Sequence, residues 1–177
     1  MPTEKLYRIW KEQIRALRPS QRITQIQNFA WMMVGIYQSR SVHLSKIAGK
    51  VSGNAKLLST VRRFERFLDN KAIEVHEWYE PIAKQWIETQ WKHLKEIRLI
   101  VDGTKVGFGH QLLMVSLAYR RRSIPIAWAW IKQVRGHSGA KKQIELLKYV
   151  RTLLPKKSVV FLVGDSEFGS IALMKQL

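Results

Sequence analysis

The sequence predicts an α+β chain: a helical half, then a mixed sheet of three antiparallel strands, a crossover helix and a fourth, parallel strand. Three observations carry that reading. Apolar residues recur at helical spacing up to about residue 96 and then switch to strand-like runs. Two of these runs, Arg98–Val101 and Ser158–Val163, each lead into an aspartate, Asp102 and Asp165. Between them lie a strand hairpin and one amphipathic helix.

Taken in order, Leu6, Ile9, Trp10, Ile14 and Leu17 predict a helix over 4–18, which Pro19 ends. Ile23, Ile26, Phe29, Ala30, Met33 and Ile36 or Tyr37 form the stripe of a second helix over 22–38, where Met32 and Met33 read as core rather than as a cofactor box. A short helix over 43–50, a turn at Val51–Gly53 and a helix over 55–68 capped by Asn54 follow. On that last helix Leu57, Val61, Phe64 and Leu68 share one face, and Lys56, Ser59, Arg62, Arg63 and Arg66 the other. Short helix, glycine turn and basic helix make 43–68 a helix-turn-helix-like segment. The basic face reads as a DNA contact or as a solvated face, and DNA contact is favoured. Residues 71–95 continue as helix, with a kink or a division at Pro81 and solvent-facing Glu74, Glu77, Glu80 and Glu88.

The sheet half begins at about residue 97, the candidate domain boundary between a helical region, 1–96, whose basic face is the candidate DNA contact, and a sheet region, 97–177. Leu112–Tyr119 and Ile124–Ile131 form a hairpin around Arg120–Ser123, with Pro125 near the start of the second strand, where proline is tolerated. Gly136–Gly139 is a loop, and Ala140–Leu154 is a helix burying Ile144, Leu147, Val150 and Leu154. Ser158–Val163 is the clearest strand, and a last helix starts at Phe168.

The formal charge of +18 is shared by both halves: residues 1–96 carry 17 basic and 9 acidic side chains, residues 97–177 carry 14 and 4. A folded basic surface follows, not a detachable tail, and nucleic acid is its commonest partner. With 46% hydrophobic residues and seven tryptophans the chain is not a disordered polycation. The absence of cysteine excludes disulfides, zinc–thiolate sites and thiol catalysis. Met1–Trp10 is mixed and charged, unlike a secretory signal, and the most apolar stretch, Phe29–Tyr37, is far shorter than the ~20 residues of a bilayer span. A cytoplasmic protein with no membrane partner is expected.

The order strand–Asp, hairpin, helix, strand–Asp is that of the start of an RNase H-like sheet. The crossover helix returns the fourth strand parallel to the first, and Asp102 and Asp165 then meet at one end. Two carboxylates that close need a cation between them, and oxygen ligands suit Mg²⁺ or Mn²⁺. Either aspartate alone reads more readily as the cap of a turn or of the next helix. Their matched strand contexts on a basic background favour metal ligation. Glu167, two residues after Asp165, is not read as a third ligand. Arg120, Arg121, Arg122, Arg135, Lys141 and Lys142 are candidate phosphate contacts near the cleft. His137 approaches the reacting phosphate or orders its loop.

Asp102–Gly103–Thr104, the hairpin with its Ser123–Ile124–Pro125 turn, Gly136–His137–Ser138, Leu153–Leu154–Pro155 and Gly164–Asp165–Ser166–Glu167–Phe168–Gly169 resemble the DDE transposases of bacterial insertion sequences. The resemblance is to the branch whose catalytic sheet carries an insertion, and it covers about residues 25–177. Gly164 and Ser166 stand where that family commonly has alanine and arginine. The resemblance implies Asp102 and Asp165 as catalytic metal ligands, double-stranded DNA at transposon ends as partner, a bacterial, nucleoid-associated location, and DNA cleavage and strand transfer in transposition and recombination. It also implies a third acidic residue, a downstream glutamate, before which this sequence ends. The chain is therefore expected to be a truncated form, inactive or feeble alone, prone to self-association or homodimer formation through an open sheet edge. The alternatives are a DNA-binding module that interferes with a full-length transposase, and an RNase H-like nuclease acting on RNA or junctions.

Overall fold

A computed structural model describes residues 2–107, 109–132 and 138–175. The chain is α+β and divides into two compact units, residues 1–78 and 79–177. The change of period at residue 97 marks the first strand, whereas the units divide earlier, at Trp78/Tyr79. The reason is that Ala83 and Ile87, on the helix ahead of that strand, are buried in the sheet's own core.

The first unit holds α1 (Thr3–Leu17), α2 (Ile23–Ser39), α3 (Leu44–Ala48) and α4 (Leu57–Leu68). The centre is α2, buried on two sides. Ile26 and Ala30 pack with Ile14 and Trp78, while Met32 packs with Ile47, Ala48, Phe64 and Phe67. The expected stripe through Ile23 and Tyr37 is therefore incomplete, since both are exposed. Gly35 allows the close approach of α3: a Cβ there would stand 2.5 Å from Ile47 Cγ2 and 2.8 Å from Ile47 O. The α4 stripe also differs from expectation. Thr60, Phe64 and Phe67 are buried, and Leu57 and Leu68 are exposed. Lys56, not Asn54, is the N-cap residue, and no side-chain cap is made among the described residues.

Helix α5 (Val75–Leu94) runs through Pro81 as one helix rather than two. Proline has no N–H, so the Glu77 carbonyl four residues earlier loses its helical donor. The Arg18 guanidinium replaces it, donating from Nη1 to Glu77 O at 3.0 Å.

In the second unit the sheet of described residues has the order β3-β2-β1-β4, formed by β1 (Glu96–Val106), β2 (His110–Tyr119), β3 (Arg122–Lys132) and β4 (Val159–Val163). β1–β2 and β2–β3 are antiparallel, and β1–β4 is parallel. The predicted hairpin, crossover and parallel return are thus present. Ile97, Leu99 and Val101 alternate into one core with Leu113, Val115 and Leu117 of β2 and with Leu146, Val150 and Leu153 of α6 (Ala140–Leu153). The buried stripe of α6 starts at Gln143, while Ile144, Leu147 and Leu154 line an open groove of about 790 Å³ beside β4. Pro125 sits at the β-bulge opposite Val115/Ser116, where its carbonyl accepts from the Tyr79 hydroxyl at 2.5 Å. β4 is an edge strand, so Val159, Phe161 and Val163 are more than half exposed despite the apolar sequence. The predicted terminal helix is instead a 3₁₀ turn (Ser166–Phe168) followed by α7 (Ile171–Met174).

Candidate functional site

Asp102 and Asp165 are brought into register by the parallel pair. The last β1–β4 partners are Ile100 and Val163, each two residues before its aspartate. Asp102 does not end its strand: β1 continues to Val106, paired with β2, and Asp102 lies opposite Met114. Beyond β4 the chain stays against β1. An ideal Cβ on Gly164 would lie 2.7 Å from Val101 Cγ1 and 3.0 Å from Phe168 Cδ2. Glycine is what lets the turn carrying Asp165 lie this close.

Both aspartates are exposed. Each also holds its own local backbone. Asp102 Oδ1 accepts from Gly103 N at 2.8 Å, and Asp165 Oδ1 accepts from Glu167 N at 2.9 Å as it caps the 3₁₀ turn. One carboxylate oxygen on each is left without a partner among the described residues. Among those residues, no group of three or more His, Cys, Asp or Glu is arranged to hold a metal ion. Two exposed carboxylates with one open oxygen each fit a largely hydrated Mg²⁺, which commonly takes only one or two protein carboxylates.

A polar cluster that the sequence did not reveal borders the aspartates. Glu167 Oε1 accepts from Ser138 N at 2.6 Å and from Ser138 Oγ at 2.5 Å. The Gln143 amide donates to Ser138 O at 3.0 Å and to Ser138 Oγ at 2.9 Å. Gln143 is 1% exposed and Gln111 7% exposed, and the Oε1 of each is buried without a partner among the described residues. Gln111 Nε2 lies 2.5 Å from where a Cβ on Gly103 would stand, so the Gln111 amide packs against the backbone next to Asp102. The available signal was a glutamine in the apolar stripe of α6, at the position preceding Leu146, Val150 and Leu153.

The predicted phosphate contacts separate into groups. Lys141 and Lys142 lie in the first turn of α6, directly after Ser138, and both are exposed. Lys142 pairs with Glu145 at 2.7 Å, and its hydrogen bond holds the Glu145 carboxyl below the usual range. Arg120, Arg121 and Arg122 are exposed but not near the aspartates. Antiparallel pairing carries the end of β2 to the start of β1, so Tyr119 lies five residues from the partner of Asp102, about 17 Å along the strand. Arg135 and His137 lie outside the described residues. Lys105, exposed on β1 three residues after Asp102, is a further cation at this end that the sequence reading missed.

In the first unit, Lys56, Arg62 and Arg66 are exposed on α4. Arg63 is not on that face. It is half-buried over the Phe64 ring, 5.4 Å from its centroid, with Nε and Nη2 enclosed and unpartnered among the described residues. The connection between α3 and α4 spans residues 49–56, longer than the turn of about three to four residues in a compact helix-turn-helix. No helix among the described residues is long and apolar enough to cross a membrane.

No family model, curated protein or solved structure matches the chain.

Proposed function

We propose that the chain acts on double-stranded DNA through a divalent-metal site on Asp102 and Asp165, in the manner of a DDE transposase cutting and joining transposon ends. The observation that carries this reading is the register of β1 and β4, which sets the two aspartates at equivalent positions beyond the last parallel pair. The open oxygen of each carboxylate would hold Mg²⁺ or Mn²⁺. Bound metal would supply activation of an attacking oxygen and stabilisation of the leaving oxygen at phosphorus. The chain's own part is to hold two carboxylates at one strand end and to offer Lys105, Lys141 and Lys142 to the phosphate backbone. Because two carboxylates hold a metal weakly, strand cleavage by this polypeptide alone is expected to be feeble. The exposed edge of β4 supports self-association in the same reading.

Mn²⁺ titration tests the proposal. Wild type should bind weakly, and Asp102→Asn or Asp165→Asn should each lower affinity at least tenfold. Identical titrations for all three proteins would refute it.

A second reading, a DNA-binding module without catalysis that interferes with a full-length transposase, is favoured by the exposed Lys56, Arg62 and Arg66 on α4 and by the net charge of +18. Replacing Arg62 and Arg66 together by alanine should lower the slope of log affinity against log salt by about 2, one for each lost phosphate contact. An unchanged slope removes this face from the interface.

A further inference from the structure

We infer that Glu167 is a positioning residue, whose carboxylate fastens the turn carrying Asp165 to the start of α6 and thereby sets the pose of Asp165 beside β1. The inference rests on the reading of Asp102 and Asp165 as cation ligands.

The hydrogen bonds run in one direction. A hydroxyl has one proton, and Ser138 gives its proton to Glu167 Oε1 at 2.5 Å. Ser138 Oγ can then only accept, and it accepts from the Gln143 amide at 2.9 Å. Gln143 also donates to the Glu167 carbonyl at 3.5 Å. The chain Gln143→Ser138→Glu167 therefore ends on Glu167 Oε1, which accepts both donors of Ser138. Ser138 is 5% and Gln143 1% exposed, so breaking the chain would strand buried polar atoms.

Glu167 bonds within its own turn and to the start of α6, and comes near β1. Its backbone N–H donates to Asp165 Oδ1 at 2.9 Å. Its side chain receives both donors of Ser138, immediately ahead of α6. Its Oε1 lies 3.8 Å from where a Cβ on Gly103 would stand, beside Asp102. Asp165 is exposed, and its side chain is oriented by the bond from the Glu167 N–H. Ser138 holds the side chain through Oε1 while the backbone N–H of the same residue holds Asp165, so Glu167 acts through Asp165. Partners one shell out from a metal ligand commonly change metal affinity about 10–100-fold when removed.

The test is Mn²⁺ titration and thermal unfolding of Glu167→Ala, Glu167→Gln, Ser138→Ala and Asp165→Asn beside wild type, with amide hydrogen exchange over residues 165–168. Glu167→Ala and Ser138→Ala should each weaken Mn²⁺ binding about 10–100-fold, with a cooperative unfolding transition at a lowered Tm and faster exchange at those amides. Glu167→Gln keeps an acceptor oxygen and should lose less. Ser138→Ala is decisive because it leaves the Glu167 carboxylate in place: a directly ligating Glu167 would keep its affinity there, and that result overturns the inference. Unchanged exchange in Glu167→Ala overturns it independently of any metal. Equal Mn²⁺ binding by wild type and Asp165→Asn refutes the metal reading instead, a separate outcome.

Discussion

Alanine at Gly164 should unsettle the sheet unit at the point where β4 gives way to the turn carrying Asp165. The added Cβ would sit 2.7 Å from Val101 Cγ1, 3.0 Å from Phe168 Cδ2 and 3.2 Å from Phe168 Cβ, where ordinary contact begins near 3.4 Å. Val101 is 3% and Phe168 6% exposed, so neither can swing into solvent. The turn must then lift away from β1. Overpacking of this kind costs roughly 1–3 kcal/mol. For a unit of about a hundred residues that is a fall in Tm of roughly 5–20 °C. Differential scanning calorimetry reads the fall directly. Gly169→Ala is the control within the same turn, since its φ of −87° suits any residue and its nearest neighbour stands at 3.4 Å. Val101→Ala in the Gly164→Ala background should recover part of the loss, with a coupling of about 0.5–3 kcal/mol. Equal Tm for Gly164→Ala and Gly169→Ala, or strict additivity with Val101→Ala, would refute the close approach of turn and strand.

Two further outcomes follow from the same kind of reasoning. Arg18→Met removes the donor that replaces the missing Pro81 N–H and should lower stability to urea by about 1–2 kcal/mol; with Pro81→Ala, which restores a backbone donor for Glu77 O, the penalty should shrink, and an unchanged penalty would sink the account of α5. The Tyr149 hydroxyl is pushed up to about 12 by burial and by Glu80, whose Oε2 it bonds at 3.2 Å. A raised folded-state pKa means that this contribution is full below pH ~10, where unfolded tyrosine starts to ionise, and is lost as pH climbs toward about 12. The stability advantage of wild type over Tyr149→Phe should therefore narrow between pH 9 and 12 in urea titrations, and a constant gap would contradict it.

Much of the fold was legible because local pattern and tertiary packing agreed. Leu99 and Val101 alternate with Arg98 and Asp102, and the strand they predict pairs with β2 as the hairpin spacing requires. Pattern failed where it was degenerate. Phe64 belongs to two possible stripes of α4, and the choice of Thr60–Phe64–Phe67 is made by Phe67, whose ring stands 6.5 Å from Phe29 and 6.0 Å from Trp78. That rotation exposes Leu57 and Leu68 and turns Arg63 out of the basic row. Pro81 reads as a break because its sequence neighbourhood does not contain Arg18, fifty-nine residues before Glu77, which satisfies the freed Glu77 carbonyl.

The candidate site divides in the same way. Two apolar runs ending in Asp102 and Asp165, separated by a hairpin and a helix, were enough to expect a parallel return and a shared strand end. This follows because strand period and crossover connection are local or topological properties. Which cations accompany the aspartates was decided only by pairing: antiparallel β2 removes Arg120–Arg122 to the far end, while the start of α6 leaves Lys141 and Lys142 just after Ser138. The bonds joining Ser138, Gln143 and Glu167 link residues up to twenty-nine positions apart. No periodicity encodes them, because they exist only once α6 and the turn after β4 have packed together.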